Sequence, residues 1–556
     1  MQASSLKKTD YYLLISFFSL AVPLILFIFR FLDDNKLTSW QWIFSNTNAA
    51  QFFLILVLSV GCAYLLSKTA IFENSPLFLF FASFLVSILF WGEPEVIIDA
   101  ARYFTQAKQL ATHGTKYFFS EWGRDVFAWT DLPLVPFCYG LIFKYLGESR
   151  IYIQLFTSFL FAATVVLTYL LGRILWDEEI GFYGGLLLLG IPYLFVQVPL
   201  MLVDVPTMFF LMLAIYTFIK AIKNGGWETM VFSALALFFA VLAKFSTWVF
   251  LSGLAVILLV GLRTEFRKSL KRGSITALLF LLFAAIMFSL KYEVIVEQIR
   301  FLVSYQKPGL ARWGESYIST FFFQTHVFLS VSALCSAIIA FKKRDYNYLI
   351  ISCFFILIFL IQAKRARYTL PIFPMLALMA SYGLREIRSG EIRRFVVFCA
   401  VSTSIAIAFF SYLPFLQKMS AMNIKNAGEF LNTIDVDHIE IIALSQEKKI
   451  VNPVVSVPLI DLYAKKDIRY RQYTHPLPPK GFLESPLRFT WEYKTPEFYD
   501  PDRKVSEKEA VVVVFGQPDQ TFPSQIEERI QNFRRAASFE ETTGLFLYNT
   551  LVRVYY

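Results

Sequence analysis

Apolar runs of about twenty residues recur along the first three quarters of this 556-residue sequence, and their length restricts the fold more than any other feature. A helix rises 1.5 Å per residue, so about 20 apolar residues match the roughly 30 Å hydrocarbon core of a bilayer. The runs lie at 11–31, 51–68, 74–91, 150–174, 180–199, 205–222, 228–244, 247–263, 275–292, 317–341, 348–363, 368–384 and 395–416. They predict an all-α polytopic membrane protein of about thirteen spans. Composition agrees: 56% of residues are hydrophobic and only 17% charged, where a soluble domain is about 45–50% apolar and about 25% charged. The net charge of +10 could point to nucleic acid, but its placement argues against such a partner. Lys7, Lys8, Lys68, Arg173, Lys220, Lys223, the basic stretch 263–272, Lys342, Lys343, Arg344, Arg385, Arg388, Arg393 and Arg394 all fall in loops on one side. Cytoplasmic loops carry that excess, so the N-terminus is expected inside and the C-terminus outside a multi-pass plasma-membrane protein.

The five cysteines, Cys62, Cys138, Cys335, Cys353 and Cys399, lie in apolar segments without metal-ligand spacing, and none follows Cys399. The four histidines are dispersed. Neither residue type predicts a metal or a disulfide-bonded C-terminal region. Lys7 and Lys8 precede an apolar run with no small-residue cleavage site, which reads as a retained first span. Three outer segments are long. The first, 92–149, holds a polar helix-like stretch at 99–114 and a short apolar piece at 132–146, expected at the interface. The second, 293–316, carries Tyr305-Gln-Lys-Pro-Gly-Leu-Ala-Arg-Trp313-Gly314, whose Pro and Gly predict a mobile loop able to act as a lid. The third, 417–556, turns soluble in composition. Strand-like 440–443 and 511–515, with helix-like 427–433 and 525–537, predict a small α/β domain outside the membrane.

Charged residues gather where spans meet the outer surface. Glu93, Glu95 and Asp99 follow the third run, and Asp204 stands in Leu202-Val-Asp-Val-Pro206 at another outer turn. Acidic groups at helix starts are ordinarily caps. Yet an ionisable group near membrane depth is costly, and two such carboxylates on one face exceed what capping asks. Lys244 ends a long apolar run, and Lys364, Arg365 and Arg367 crowd the outer end of another. Snorkelling toward lipid head groups accounts for single cations. A triple cation outside runs against the charge bias of the loops, and an anionic ligand would compensate it. Arg suits bidentate phosphate contacts. An amphiphile with a phosphate head would halt at this rim. Cations there would neutralise a leaving phosphate, and a carboxylate would take the proton of an attacking hydroxyl.

With these residues in place, the chain resembles the GT-C superfamily of membrane glycosyltransferases, in the branch of the protein O-mannosyltransferases and the lipid A aminoarabinose transferase. The resemblance covers about residues 75–390 and rests on three landmarks: Asp99…Tyr103…Ala107…Gly114, Asp204-Val-Pro206, and Arg367-Tyr-Thr-Leu-Pro371-Ile-Phe-Pro374. Weaker matches between them are Pro133…Gly147-Glu148, Tyr169-Leu-Leu-Gly-Arg173 and Gly181…Pro192. It implies an inverting transferase that moves a sugar from a polyprenyl or dolichyl phosphate to a hydroxyl on a glycan, lipid or protein, among membrane lipids and without a cofactor. By position, Asp99 becomes the general base and Asp204 a second site acid. Lys244, Arg367, Arg365 and Lys364 become donor-phosphate contacts, and Tyr103, Tyr368 and Trp313 complete the pocket. Relatives often carry Asp-Glu where this chain has Asp99-Ala100, which brings in Glu95 or Glu93 as alternative bases. They also carry a Lys where this chain has Trp129-Thr-Asp131-Leu-Pro133, which brings in Arg124. The expected organisation is two additional N-terminal helices at 1–73, a GT-C-like catalytic body at 74–416 and the outer domain at 417–556. The rival class is a transporter or flippase for a lipid-linked anion. It would place ionisable groups at mid-membrane and repeat its halves, and neither feature is visible in the sequence.

Overall fold

Each predicted span has a helical counterpart in the computed structural model, which describes residues 8–45, 47–69, 75–311, 313–361, 364–444, 451–470, 496–499, 508–542 and 550–556. Lys7, Arg312, Gln362 and Ala363 of the motifs above lie outside the described residues. The first two runs become Lys8–Ile28 and Ala49–Ser67, and later ones become Arg150–Leu175 and Asp204–Asn224. Among the described residues, seven helical stretches are long and apolar enough to cross a bilayer. The run at 180–199 is divided into Glu178–Leu187, a 3₁₀ turn Leu188–Gly190 and Pro192–Gln197. Pro192 opens the last of these, a position where its missing N–H costs nothing. Large apolar side chains face outward around the bundle, among them Leu290 at 73% and Phe341 at 85% exposure. A protein in water would bury them; here they form the lipid-facing belt of a multi-pass membrane protein. Inside the bundle, Arg150–Leu175 and Glu178–Leu187 approach so closely that a Cβ on Gly181 would lie 2.3 Å from the Tyr169 carbonyl oxygen. Only glycine permits that crossing.

The polar stretch at 99–114 forms a helix, Asp99–Glu121, kinked at Gly114, whose φ of +87° suits glycine. Its buried residues include Asp99, Arg102, Tyr103, Gln106 and Leu110, which follow the three- and four-residue spacing of one helix face. The short apolar piece forms Leu134–Leu146, 13 residues long and too short to cross a bilayer alone.

Two expectations are corrected. The 293–316 segment is helical over most of its length. Helix Phe266–Phe301 passes through a π-helical turn, Leu302–Gln306, into Lys307–Ala311. Pro308 lies just after that π-helical turn, where the regular four-residue hydrogen-bond ladder already gives way and its missing N–H is accommodated. The expected helix at 525–537 stops at Ile530, and Ala536–Phe539 instead forms a strand. Pairing with the C-terminal strand through Ala537↔Val554 and Phe539↔Val552 overrides local helix propensity there.

Among the described residues, the C-terminal domain is a five-stranded sheet in the order β2-β1-β3-β5-β4, with β1 at His438–Ala443, β2 at Asp467–Tyr470, β3 at Glu509–Phe515, β4 at Ala536–Phe539 and β5 at Leu551–Tyr555. β1 runs parallel to β2 and β3, and β5 is antiparallel to β3 and β4. The unbroken Val511–Val514 run of β3 is buried on both faces, as central strands require. Val512 and Val514 join the large core that continues into the membrane body, while Val511 and Val513 pack with Ile526 of the helix Ser524–Ile530. Sheet and bundle therefore share one core.

Candidate active site

Three backbone breaks at one rim of the bundle aim charged side chains at one another. Helix Trp227–Ala243 ends where Lys244 turns extended. The hydroxyl of Thr247 and the indole N–H of Trp248 donate to the Ala240 and Val241 carbonyls, satisfying end groups of that helix. Helix Asp204–Asn224 opens on Asp204 itself. A 3₁₀ segment, Ala366–Ile372, carries Arg367 before helix Phe373–Leu384 begins.

From these breaks come two acid–base pairs. Arg367 Nη2 donates to Asp99 Oδ2 at 2.5 Å, and Lys244 Nζ donates to Asp204 Oδ1 at 2.5 Å. Asp99, Asp204 and Arg367 are all buried. Arg367 also faces Asp204 electrostatically, so the pairs form one charged cluster. Neither pair exhausts its polar atoms: Asp204 Oδ2 and Arg367 Nε and Nη1 are buried without a hydrogen-bond partner among the described residues. Groups of that kind cost free energy unless something polar reaches them. A third pair supports the first. Arg102, one helical turn after Asp99 and 3.9 Å from it, turns two N–H groups onto Asp131, one of them at 2.9 Å. Gln106 donates to the same carboxylate at 3.1 Å, and Gln298 to the Asp131 carbonyl at 2.7 Å.

A cavity of about 300 Å³ opens among these groups. Asp99, Arg102, Asp131, Lys244, Arg365 and Arg367 form its polar side; Val249, Leu302, Leu310, Leu360 and Ile361 form an apolar side. The Arg365 guanidinium lies 3.7 Å over the Trp313 ring, and Lys244 Nζ lies 4.8 Å over that of Tyr368. Burial alone would raise the proton affinity of Asp99, but Arg367, Arg102 and Arg365 together outweigh it and hold the carboxyl well below its ordinary value. At Asp131 burial wins, and the carboxyl is pushed up although Arg102 lies against it.

Of the residues singled out in the sequence, Asp99, Tyr103, Lys244, Arg365, Arg367 and Tyr368 line this cavity, and Asp204 reaches it through Lys244. Trp313 stands one layer back, beneath Arg365. Glu95 lies elsewhere: Arg150 donates to it at 2.7 Å and the Met201 N–H at 3.1 Å, so both oxygens serve a structural pair. Glu93 is fully buried beside Arg150 and Lys425, where burial pushes its carboxyl well up. Arg124 sits in the turn after helix Asp99–Glu121, near Lys291, and Lys364 points to the exterior. Neither lines the cavity. The sequence reading overlooked Arg102 and Asp131 as site residues. The spacing of Arg102 from Asp99 was the available sign, because residues three apart share a helix face. Among the described residues no group of three His, Cys, Asp or Glu side chains converges as metal ligands.

Comparison with known proteins is consistent with this geometry. The sequence model of the dolichyl-phosphate-mannose-protein mannosyltransferase family matches residues 131–296, a stretch that holds Asp131, Asp204 and Lys244 but not Asp99 or Arg367. No curated protein sequence matches the chain. Among solved structures, ArnT from Cupriavidus metallidurans bound to undecaprenyl phosphate is 12% identical, with a TM-score of 0.56 over 86% of this chain and 97% of that one. The same protein in its apo state gives a TM-score of 0.54 at 12% identity, with the same coverage of 86% and 97%. The chain is thus a multi-pass membrane protein with an ArnT-like fold, and its residues 131–296 match the mannosyltransferase family model.

Proposed function

We propose that the chain is an inverting glycosyltransferase that moves a sugar from a polyprenyl-phosphate donor to an acceptor hydroxyl on the non-cytoplasmic face of the membrane. One observation carries the reading: a cavity at the bundle rim with an apolar wall, where the buried carboxylates of Asp99 and Asp204 are each matched by a cation. The apolar wall suits a prenyl chain, and Arg365, Arg367 and Lys244 suit its phosphate. The family match and the likeness to ArnT, whose structure holds undecaprenyl phosphate, support the same class of donor. The orientation is supported by the basic loops, whose positive charge favours a cytoplasmic N-terminus and an exterior 417–556 domain.

In the proposed step the acceptor oxygen attacks the anomeric carbon as the bond from that carbon to the phosphate oxygen breaks. The hydroxyl proton passes to Asp99, and the phosphate departs with the bonding electrons. Its added charge is met by Arg367 and Lys244, already fixed in place. Asp99 is a weak base while Arg367 lies against it. Donor phosphate competes for that guanidinium and so raises the proton affinity of Asp99 when the base is needed. Asp204 keeps Lys244 oriented and has one oxygen left for a sugar or acceptor hydroxyl.

Purified protein incubated with a panel of polyprenyl-phosphate sugars tests this directly. At least one donor should be converted to polyprenyl phosphate in the presence of acceptor. Movement of lipid-linked anions across vesicles with no donor consumed would instead establish the transporter.

A further inference from the structure

We infer that Glu315, outside the cavity, is the positioning residue that sets Arg365 and Arg367 in place and links them to the N-terminal loop between the first two helices. Glu315 is buried, and both its carboxylate oxygens are engaged. Oε2 accepts the backbone N–H of Ala366, the residue between the two arginines, at 2.5 Å. Oε1 accepts the indole N–H of Trp313 at 2.8 Å and the backbone N–H of Lys36 at 2.9 Å. The same side chain thereby holds the ring on which Arg365 lies and the peptide from which Arg367 projects.

The N-terminal loop is itself rigidly pinned. Asp33 accepts from the Asn35 and Trp40 N–H groups, from the Ser319 hydroxyl at 2.9 Å and from Gln324 Nε2 at 2.7 Å. Asp34 accepts the Ser316 N–H at 3.1 Å. Trp40 donates its indole N–H to the hydroxyl of Tyr412 at 2.9 Å. Residues 33–40 therefore brace 315–324, and Glu315 passes that brace to the arginines. Charged acceptors on backbone N–H groups make strong bonds in buried surroundings, and a shift near 1 Å at a reacting centre is costly. On this account the N-terminal helices belong to the functional unit.

The proposal rests on the reading that these arginines take the donor phosphate, and the test separates the two. Binding of undecaprenyl phosphate is measured on the full chain for wild type, Glu315→Gln, Trp313→Phe and Arg388→Ala, together with donor KM, kcat and the pH profile of kcat/KM. Gln keeps the shape but presents an N–H₂ to donors that need acceptors. We expect about tenfold weaker binding and a comparable rise in KM. The acid limb of kcat/KM should move upward, because a displaced Arg367 no longer holds down Asp99. Trp313→Phe keeps the stacking ring and loses the N–H, so about a threefold effect is expected. Arg388→Ala, exposed at the opposite end, should match wild type. A purely structural role would lower the active fraction and leave KM and the acid limb unmoved, and that result overturns the proposal. Trp313→Phe decides the matter if Glu315→Gln does not fold: wild-type binding in that variant also overturns it. Failure of wild type to bind undecaprenyl phosphate would instead sink the donor assignment.

Discussion

Arg367→Ala separates the electrostatic role of the Asp99–Arg367 pair from mere packing. The change leaves Asp99, 4% exposed, with Arg102 at 3.9 Å to answer its charge. Breaking a buried pair from one side costs about 3–5 kcal/mol, because the remaining charge stays desolvated. Arg102 and the adjoining cavity moderate that penalty, so a loss of about 3 kcal/mol is expected near neutral pH. Removing both charges should return most of it. The pH dependence fixes the cause. In wild type the Asp99 carboxyl is held below its ordinary value, so the pair's contribution is complete above about pH 4 and fades only as pH falls through the lower folded value. In Arg367→Ala, burial pushes the same carboxyl above the ordinary value, so that variant recovers stability as pH falls and Asp99 takes up a proton. The gap between the two proteins should therefore narrow from pH 7 toward pH 4. Thermal unfolding of detergent-purified wild type, Arg367→Ala and Asp99→Asn/Arg367→Ala across that range measures it. A double variant as unstable as the single one, or a gap that widens in acid, would refute the reasoning.

Lys244→Ala should raise donor KM about tenfold or more through loss of a phosphate contact, and adding Asp204→Asn should restore stability without restoring donor use. Recovery of both would make the pair purely structural. Lys108 Nζ lies 2.7 Å from Asp461 and 3.0 Å from Glu148, joining helix Asp99–Glu121 to helix Pro453–Tyr463 of the C-terminal domain. Burial pushes the Asp461 carboxyl up to about 6 even with Lys108 present. Lys108→Met should therefore lower thermal stability more at pH 8 than at pH 5, where Asp461 is protonated, and equal losses at both would count against it.

The spans and the strands at 440–443 and 511–515 were legible because period and run length depend on local sequence, whereas Asp467–Tyr470, Ala536–Phe539 and Leu551–Tyr555 become strands through pairing that local sequence does not show. Asp99, Asp204 and Arg367 were also legible, since ionisable groups at the ends of apolar runs need partners. Their particular pairing was not visible: Arg367 and Asp99 are 268 positions apart, and only the fold brings them together. The same limit explains Glu95, which looked equivalent to Asp99 until Arg150 claimed it from 55 positions away. Glu315 had no signal of its own, because its partners are mostly backbone N–H groups supplied by 33–40 and 364–372. The 293–316 segment misled because proline marks a turn in general but is accommodated here beside a π-helical turn within a continuous helix.

In the proposed step, Asp99 takes a proton beside a lipid-linked phosphate held by cations. Release of polyprenyl phosphate by wild type and by Asp99→Asn, with undecaprenyl phosphate binding measured alongside, tests it most directly. The account predicts a loss of turnover of at least about a hundredfold, with binding retained or tightened because Arg367 is no longer engaged by a carboxylate. Transfer by Asp99→Asn at the wild-type rate would contradict it.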